Sequence, residues 1–294
     1  MRIISCRNEI PCRWRILVTG VTAIHGWPVF QELQKALPEE RLFGIRPPKM
    51  KIPSGAGIQS MCITDRDALA RIKQVFRPTH VVHCSGVCDL DVCEERPAWA
   101  RAINTHGTKA VADMFGDDCY ILYLSTDLVF SGNNPPAGGY AEHHTADPVS
   151  VAGKTFAAAE LELMRCRRCC IVRLGLPLGR SITGDKGALD WIRSRFEKRL
   201  PVTLFHDEWR SVIECRKIVR VILYLLSGEI TGLFHCGGPV PASLHEVGKR
   251  VLEAGCFPGH LLRGISRHEE KNGPPRIGNV ALDSSKLSAL VAAE

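Results

Sequence analysis

The sequence predicts an α/β protein, a doubly wound parallel sheet with a small C-terminal lobe, and three observations carry the prediction. A β-branched run, Ile16 to Thr19, breaks at Gly20 and leads into a helical apolar pattern at Gly26, Val29, Phe30 and Leu33. Short apolar segments then alternate with amphipathic ones, the signature of strands joined by crossover helices. Several apolar segments, Val81-Val-His-Cys84 and Tyr120-Ile-Leu-Tyr-Leu124 among them, show little alternation, as strands buried on both faces must.

In chain order, residues 1–13 read as an arm before the first strand. The helix after the glycine turn runs to about Leu37, and Arg41-Leu-Phe-Gly-Ile-Arg46 is the second strand. Met61-Cys-Ile-Thr64 reads as a short third strand and Asp65 to Phe76 as an amphipathic helix. Val81 to Cys84 is the fourth strand, ending at Ser85-Gly86. Pro97 to Met114 is one long helix carrying Asn104, and Tyr120 to Leu124 is a buried strand running into Ser125-Thr126-Asp127. Gly, Pro and polar residues make 131–151 a long loop. Helix returns from Ala152 to Cys166, followed by the strand Cys170 to Leu174. Beyond it come a loop at 175–187, a helix at 188–199, a strand at 202–206, a helix at 214–226, a strand at 232–236 and a helix at 243–254. Residues 14–174 are thus expected to form a dinucleotide-binding domain of the Rossmann type. Residues 175–294 are expected to form the lobe and complete the sheet.

Composition narrows the function classes. A chain of 294 residues with 45% apolar and 23% charged residues has room for a sizeable core. The net charge of +7 suits an anionic ligand. Basic clusters such as Arg165-Cys-Arg-Arg168 lack interleaved aromatics, so nucleic acid is not an expected partner. No apolar run reaches the ~18 residues that span a bilayer. Arg2, Arg7, Glu9 and Arg13 break any signal-peptide pattern, so the expected location is cytoplasmic. Thirteen cysteines in such a chain are expected to be reduced thiols. His83, Cys84, Cys88 and Cys93, like Cys166, Cys169 and Cys170, do not make paired Cys-x-x-Cys knuckles, and no metal is expected.

The chemistry begins at the glycine turn. Strand, tight turn and helix N-terminus bring backbone N–H groups and partial positive charge to a diphosphate. The expected contacts are Gly20, Thr22, Ala23, Ile24 and Gly26, joined by Ser85 and Gly86 at the end of the fourth strand. Ala23 puts a methyl at the middle glycine position. Arg46 lies twenty residues past Gly26, where an acid would meet the 2′-hydroxyl of NAD and an arginine can pair with the 2′-phosphate of NADP. NADP is therefore expected over NAD, although an ordinary surface arginine before Pro47-Pro48 fits the same residue.

Several motifs occur in one order: Thr19-Gly20 to Gly26, Asp91-Val-Cys-Glu-Glu-Arg-Pro97, Ile103-Asn104 to Gly107 and Leu124-Ser-Thr-Asp-Leu-Val-Phe-Ser-Gly132. They are followed by Tyr140-Ala-Glu142, Pro148 to Glu160 and Arg276 to Leu287. In these the chain resembles the extended short-chain dehydrogenase/reductases, specifically the dTDP-4-dehydrorhamnose reductase branch. That branch also includes the regulatory β subunit of methionine adenosyltransferase. The resemblance spans roughly residues 14 to 290. It implies an NAD(P) domain, a nucleotide-sugar lobe, and hydride transfer to a sugar ketone by an Asn, a Ser or Thr, and a Tyr-x-x-x-Lys pair. Asn104 and Thr126 match the first two. Aligned on Pro148, Gly153, Thr155 and Glu160, the tyrosine position holds Ala152 and the lysine position Phe156. Cys62 stands where an acid usually contacts the adenine.

Those departures have a chemical consequence. Hydride addition to a ketone leaves an alkoxide that needs a proton, and a phenol of pKa about 10 supplies it only when a cation lowers that value. Tyr and Lys four residues apart share a helix face. Ala152 has no proton to give, Phe156 has neither charge nor hydrogen bonds for the nicotinamide ribose, and Lys154 points elsewhere. Tyr140, His143, His144, Cys84 and Cys88 are the candidate substitutes, and Asp127 with Glu142 is a candidate carboxylate pair. The chemistry favours a degenerate, pseudoenzyme-like member binding a nucleotide or a partner protein. The alternative is an active NADP-dependent reductase of a nucleotide-linked 4-keto sugar with a substitute donor. Other chemistry in the same cleft, an epimerase or a thiol-dependent reaction, is a third reading. The expected partners are a nucleotide-sugar-like molecule or a protein, with a homodimer open.

Overall fold

Residue alternation across a strand explains the core. The computed structural model describes residues 10–11, 13–48, 50, 57–184, 187–270 and 273–292, so most of the expected 1–13 arm lies outside the described residues. In β1 (Ile16–Thr19), Leu17 faces one hydrophobic cluster while Ile16 and Val18 face another, and all are fully buried. Period-two geometry sends neighbours to opposite faces, so a sheet covered on both sides needs apolar residues at nearly every position.

The first half alternates strand and helix: α1 (Gly26–Ala36), β2 (Leu42–Arg46), β3 (Ile58–Ser60), α2 (Arg66–Val75), β4 (His80–His83) and an additional short helix, α3 (Leu90–Glu95). Then come α4 (Pro97–Arg101), α5 (Gly107–Phe115), β5 (Tyr120–Thr126), α6 (Val151–Leu163) and β6 (Cys169–Leu174). The second half contains β7 (Leu176–Leu178), α7 (Gly187–Glu197), β8 (Val202–Phe205), β9 (Trp209–Glu214), α8 (Cys215–Ser227) and β10 (Gly232–Cys236). It ends with β11 (Pro241–Ser243), α9 (Leu244–Ala254), β12 (Leu262–Ile265) and α10 (Ser285–Ala292).

The main sheet has seven strands in the order β10-β6-β5-β4-β1-β2-β3, all parallel. Strand order reverses between β1 and β4, which makes the crevice beyond their C-terminal ends the topological switch point. Strands β7, β9 and β11 form a three-stranded sheet and β8 pairs with β12. A third cluster, centred on Ile192, Phe196, Leu204 and Val247, packs the segments around these strands.

Two expectations shift. Met61 to Thr64 is not a strand; pairing occurs earlier, at β3. The Asp65 carboxylate caps α2 by accepting from the Ala68 N–H, and the chain turns at Cys62, whose carbonyl accepts from Asp65 N–H. Met61 and Ile63 are apolar because that turn is buried. The long helix at 97–114 is interrupted by a π-helical turn, Ala102–His106, with Asn104 at its centre. Strands β7 and β9 are additions: β7 lies in the expected loop and β9 precedes the expected helix start at 214. The described cysteines are all free, and among the described residues no helix is long and apolar enough to cross a membrane.

His83, at the end of β4, bridges the hydroxyls of Thr19 at 2.6 Å and Thr108 at 3.0 Å. Burial lowers its pKa to about 3, so the folded ring is neutral. A lowered folded pKa gives stability that is complete above the unfolded value of about 6.5 and is lost as pH falls towards 3. Urea unfolding of the wild type and His83→Gln between pH 6 and 4 should show a wild-type slope steeper by about 1.4 kcal/mol per pH unit. Parallel slopes would remove His83 from the acid response.

Candidate functional site

The glycine turn closes the distance between β1 and β4. Gly20 has φ +65°, and a Cβ there would lie 2.5 Å from Ser85 N and 2.6 Å from the Cys84 carbonyl. A side chain at Gly26 would come within 2.2 Å of the Gly20 oxygen. Both positions therefore require glycine. Ala23 does not: its φ is not positive, its N–H donates to Gly20 O, and its carbonyl accepts from Trp27 N–H. The turn is built with a methyl at that place. Thr22 is buried beneath it, and the Ile24 side chain reaches out against Gly187 at the start of α7.

The N–H groups of Ile24, His25 and Gly26 have no hydrogen-bond partner among the described residues. They lie at the N-terminus of α1, whose first turn carries no acidic side chain. Three unpaired donors at a positive helix end are what a diphosphate needs, and this end of the site fits the phosphates of a dinucleotide. Sequence reasoning missed His25. Both its ring nitrogens are buried without a partner, and burial lowers its pKa to about 4. Arg46 ends β2, with Nη1 donating to the carbonyls of Met50 at 2.7 Å and Pro47 at 3.4 Å. Cys62 bonds to the Thr64 hydroxyl at 3.0 Å.

Across the switch point the chemistry changes. Ser150 caps α6 by accepting from Gly153 N–H, and Gly153 lets the helix lie so close that a Cβ would stand 2.0 Å from Leu128 O. This brings Thr155 beside Asn104 and Phe156 beside Gly86. Asn104 is fully buried and its amide is committed: Oδ1 accepts from Val87 N–H at 2.7 Å, and Nδ2 donates to Val87 O and to Thr155 Oγ1 at 2.9 and 2.8 Å. Ala152 is wholly buried. Phe156 is 5% exposed; its ring stacks towards Tyr123 and its Cζ would lie 2.6 Å from a Cβ on Gly86. An apolar ring therefore rests where the resemblance expects an ammonium.

Thr126 ends β5. Its hydroxyl donates to Asp127 Oδ1 and accepts from Leu128 N–H, each at 3.3 Å. The fully buried Asp127 is gripped by Arg210 of β9 through two N–H groups, Nε at 2.9 Å and Nη2. Burial raises the Asp127 carboxyl and the guanidinium opposes it, and the two-pronged geometry makes the contact an ion pair. Asp127 thus pairs with Arg210 rather than with Glu142, whose carboxylate accepts from His235 N–H. Arg210 was not legible: it lies 83 residues from its partner and follows no motif.

The substitute donors fare as follows. Burial pushes the Cys84 thiol up, away from thiolate formation, whereas Cys88 is exposed. Tyr140 is buried and stacked on Phe130 at 4.1 Å, and burial raises its phenol. His143 and His144 stack on each other at 4.2 Å, and His144 Nδ1 accepts from Ala141 N–H. Glu208 is another residue that sequence reasoning did not single out. It is 2% exposed, with Oε1 lacking a hydrogen bond and Arg276 Nε 3.9 Å away, and burial raises its pKa to about 7.

A parallel doubly wound sheet, a glycine turn with free donors and an Asn, Thr and helix beyond it define a protein of the short-chain dehydrogenase/reductase class. The match to a family model narrows this: residues 14–294 match the RmlD substrate binding domain, and the chain belongs to that dTDP-4-dehydrorhamnose reductase-like, NAD(P)-binding family. It is 26% identical over 286 residues to methionine adenosyltransferase 2 subunit beta of Danio rerio, covering 94% of this chain and 84% of the relative. Its fold is similar to dTDP-4-dehydrorhamnose reductase of Bacillus anthracis solved with NADP, at TM-score 0.78 and 20% identity, covering 94% of this chain and 92% of that one. The same coverage and identity hold for UDP-glucose 4-epimerase of Thermus thermophilus solved with NAD, at TM-score 0.81.

The turn predicts its own fragility. Gly26→Ala forces a methyl onto the Gly20 carbonyl and should cost about 1–3 kcal/mol of stability, as overpacking does. Denaturant unfolding measures it, and an unchanged midpoint would show that the turn relaxes freely.

Proposed function

We propose that this chain is a nucleotide-binding member of its family that has lost hydride-transfer catalysis and works by binding a nucleotide or a partner protein. The carrying observation is α6, with buried Ala152 and Phe156 where the resemblance calls for proton donor and activating cation. A bound nicotinamide cofactor supplies hydride chemistry, but the alkoxide formed also needs a proton, and general acid catalysis is typically worth ~10²–10⁴-fold. Asn104 and Thr126, the residues matched to the rest of the catalytic set, are tied to backbone and side-chain partners. NADP is proposed over NAD because Arg46 retains N–H groups beyond the two carbonyl contacts of Nη1. The partner reading is supported by a relative that is, by name, a subunit of a methionine adenosyltransferase.

A second reading keeps the chain an active reductase of a nucleotide-linked 4-keto sugar. What favours it is Glu208, a buried carboxyl whose Oε1 has no hydrogen bond and which feels Arg210, the partner of Asp127 beside Thr126; burial raises its pKa to about 7, so that it can give a proton at pH 7. The experiment is NADPH oxidation, followed by absorbance, across a panel of 4-keto-sugar nucleotides. The proposal expects no turnover by the wild type and measurable turnover by Ala152→Tyr/Phe156→Lys. Wild-type turnover that disappears in Glu208→Gln would replace it with the second reading.

A further inference from the structure

The two halves of the switch-point crevice differ in a way that specifies the ligand. On the β1–β2 side, Ile24, His25 and Gly26 present unpaired N–H groups at the start of an eleven-residue helix. On the β4–β5 side, the amide of Asn104 is spent on Val87 and Thr155, and the Phe156 ring sits against Gly86. We infer that the cleft recognises only the adenosine diphosphate half of a nucleotide and contributes no affinity for a nicotinamide riboside joined to it. The inference rests on the nucleotide-binding reading above and sharpens it from a dinucleotide cofactor to an adenine nucleotide diphosphate.

The physical reason is hydrogen-bond capacity. A ribose diol taken out of water must find donors and acceptors or lose binding free energy. Phe156 has neither, and its ring is packed into the core rather than presented as a stacking face. Ala152 is likewise without a polar atom on its side chain. The phosphates meet the opposite situation: donors already oriented, a helix end of favourable sign, and glycines that cannot be replaced without collision. Affinity is concentrated on one side of the switch point.

Calorimetric titration of the wild-type chain with four compounds tests this: NADP, NAD, and their counterparts lacking nicotinamide riboside, adenosine 2′-phosphate 5′-diphosphate and ADP. Each dinucleotide and its truncated form should bind with dissociation constants within about threefold, a difference too small for even one charge-assisted hydrogen bond. A dinucleotide binding more than about tenfold tighter than its truncated form overturns the inference and leaves the nucleotide-binding reading standing. Failure of all four to bind overturns both. Phe156→Lys restores a cation on the face of α6 that meets Gly86, and should open a gap of about tenfold in favour of the dinucleotide without changing the truncated form. Phe156→Gln, which buries no charge, repeats the test with a neutral donor should the lysine variant be unstable. If both variants fold and neither gains the preference, Phe156 is not the cause and the inference falls.

Discussion

The buried ion pair between Glu160 and Arg173 holds the catalytic-type helix in its place. Glu160 sits on α6 and Arg173 on β6; Arg173 donates to both carboxylate oxygens, with Nε at 2.9 and 3.2 Å and Nη2 at 2.7 Å, and both side chains are almost wholly buried. Ser125, next to Thr126, donates to the same carboxylate. The guanidinium also stacks over Phe130 at 5.0 Å and approaches His235 Nε2 at 3.5 Å. Removing one partner from such a pair leaves an uncompensated buried charge, at a cost of about 3–5 kcal/mol. One network therefore fixes the rotation of α6 against the ends of β5 and β6. The same rotation sets Thr155 against Asn104 and Phe156 against Gly86.

The long loop after β5 is held from several directions. Ser131 N–H donates to Asp147 at 2.9 Å, Gly132 O accepts from Asn279 N–H, and Tyr140 is bridged to Leu282. Glu142 and the Tyr140 carbonyl meet His235 on β10. Arg210 then brings β9 onto Asp127, and Arg276 contacts Glu270 at 3.1 Å with Asp91 and Glu208 at longer range. These links join the late segments to the main sheet around Thr126. They also explain why the loop's Tyr140 is occupied with packing and fastening.

The asymmetry across the switch point follows from what each side is made of. Phosphate recognition at such a turn uses backbone, which any sequence supplies once glycine permits the turn, and the turn forms here with a methyl at Ala23. Proton donation and ribose contact use side chains, and in this helix the two positions that the resemblance assigns to them hold Ala152 and Phe156. A scaffold can keep the first property while losing the second, which is why the fold alone does not decide activity.

Much of the architecture was legible because it follows from periodicity. Unbroken apolar strands imply a sheet covered on both faces, and Gly20 and Gly26 mark the crossing of β1 into α1. Ala152 and Phe156 could be assigned their positions because the resemblance aligns on Pro148, Gly153, Thr155 and Glu160. The third strand was misread because Met61 and Ile63 are buried in a turn, and burial alone does not distinguish turn from strand. The interruption of the helix at Asn104 left no sequence signal, since π-turns carry no distinctive composition. The sequence by itself determined the fold class, the glycine turn and the presence of Ala152 and Phe156 where the resemblance calls for tyrosine and lysine, because these depend on local periodicity and residue identity. Only the tertiary structure decided that Asp127 belongs to Arg210, that Asn104 is fully engaged and that the Phe156 ring covers Gly86. Each of those joins residues far apart in the chain, and distance in sequence carries no information about which polar groups meet once water is excluded.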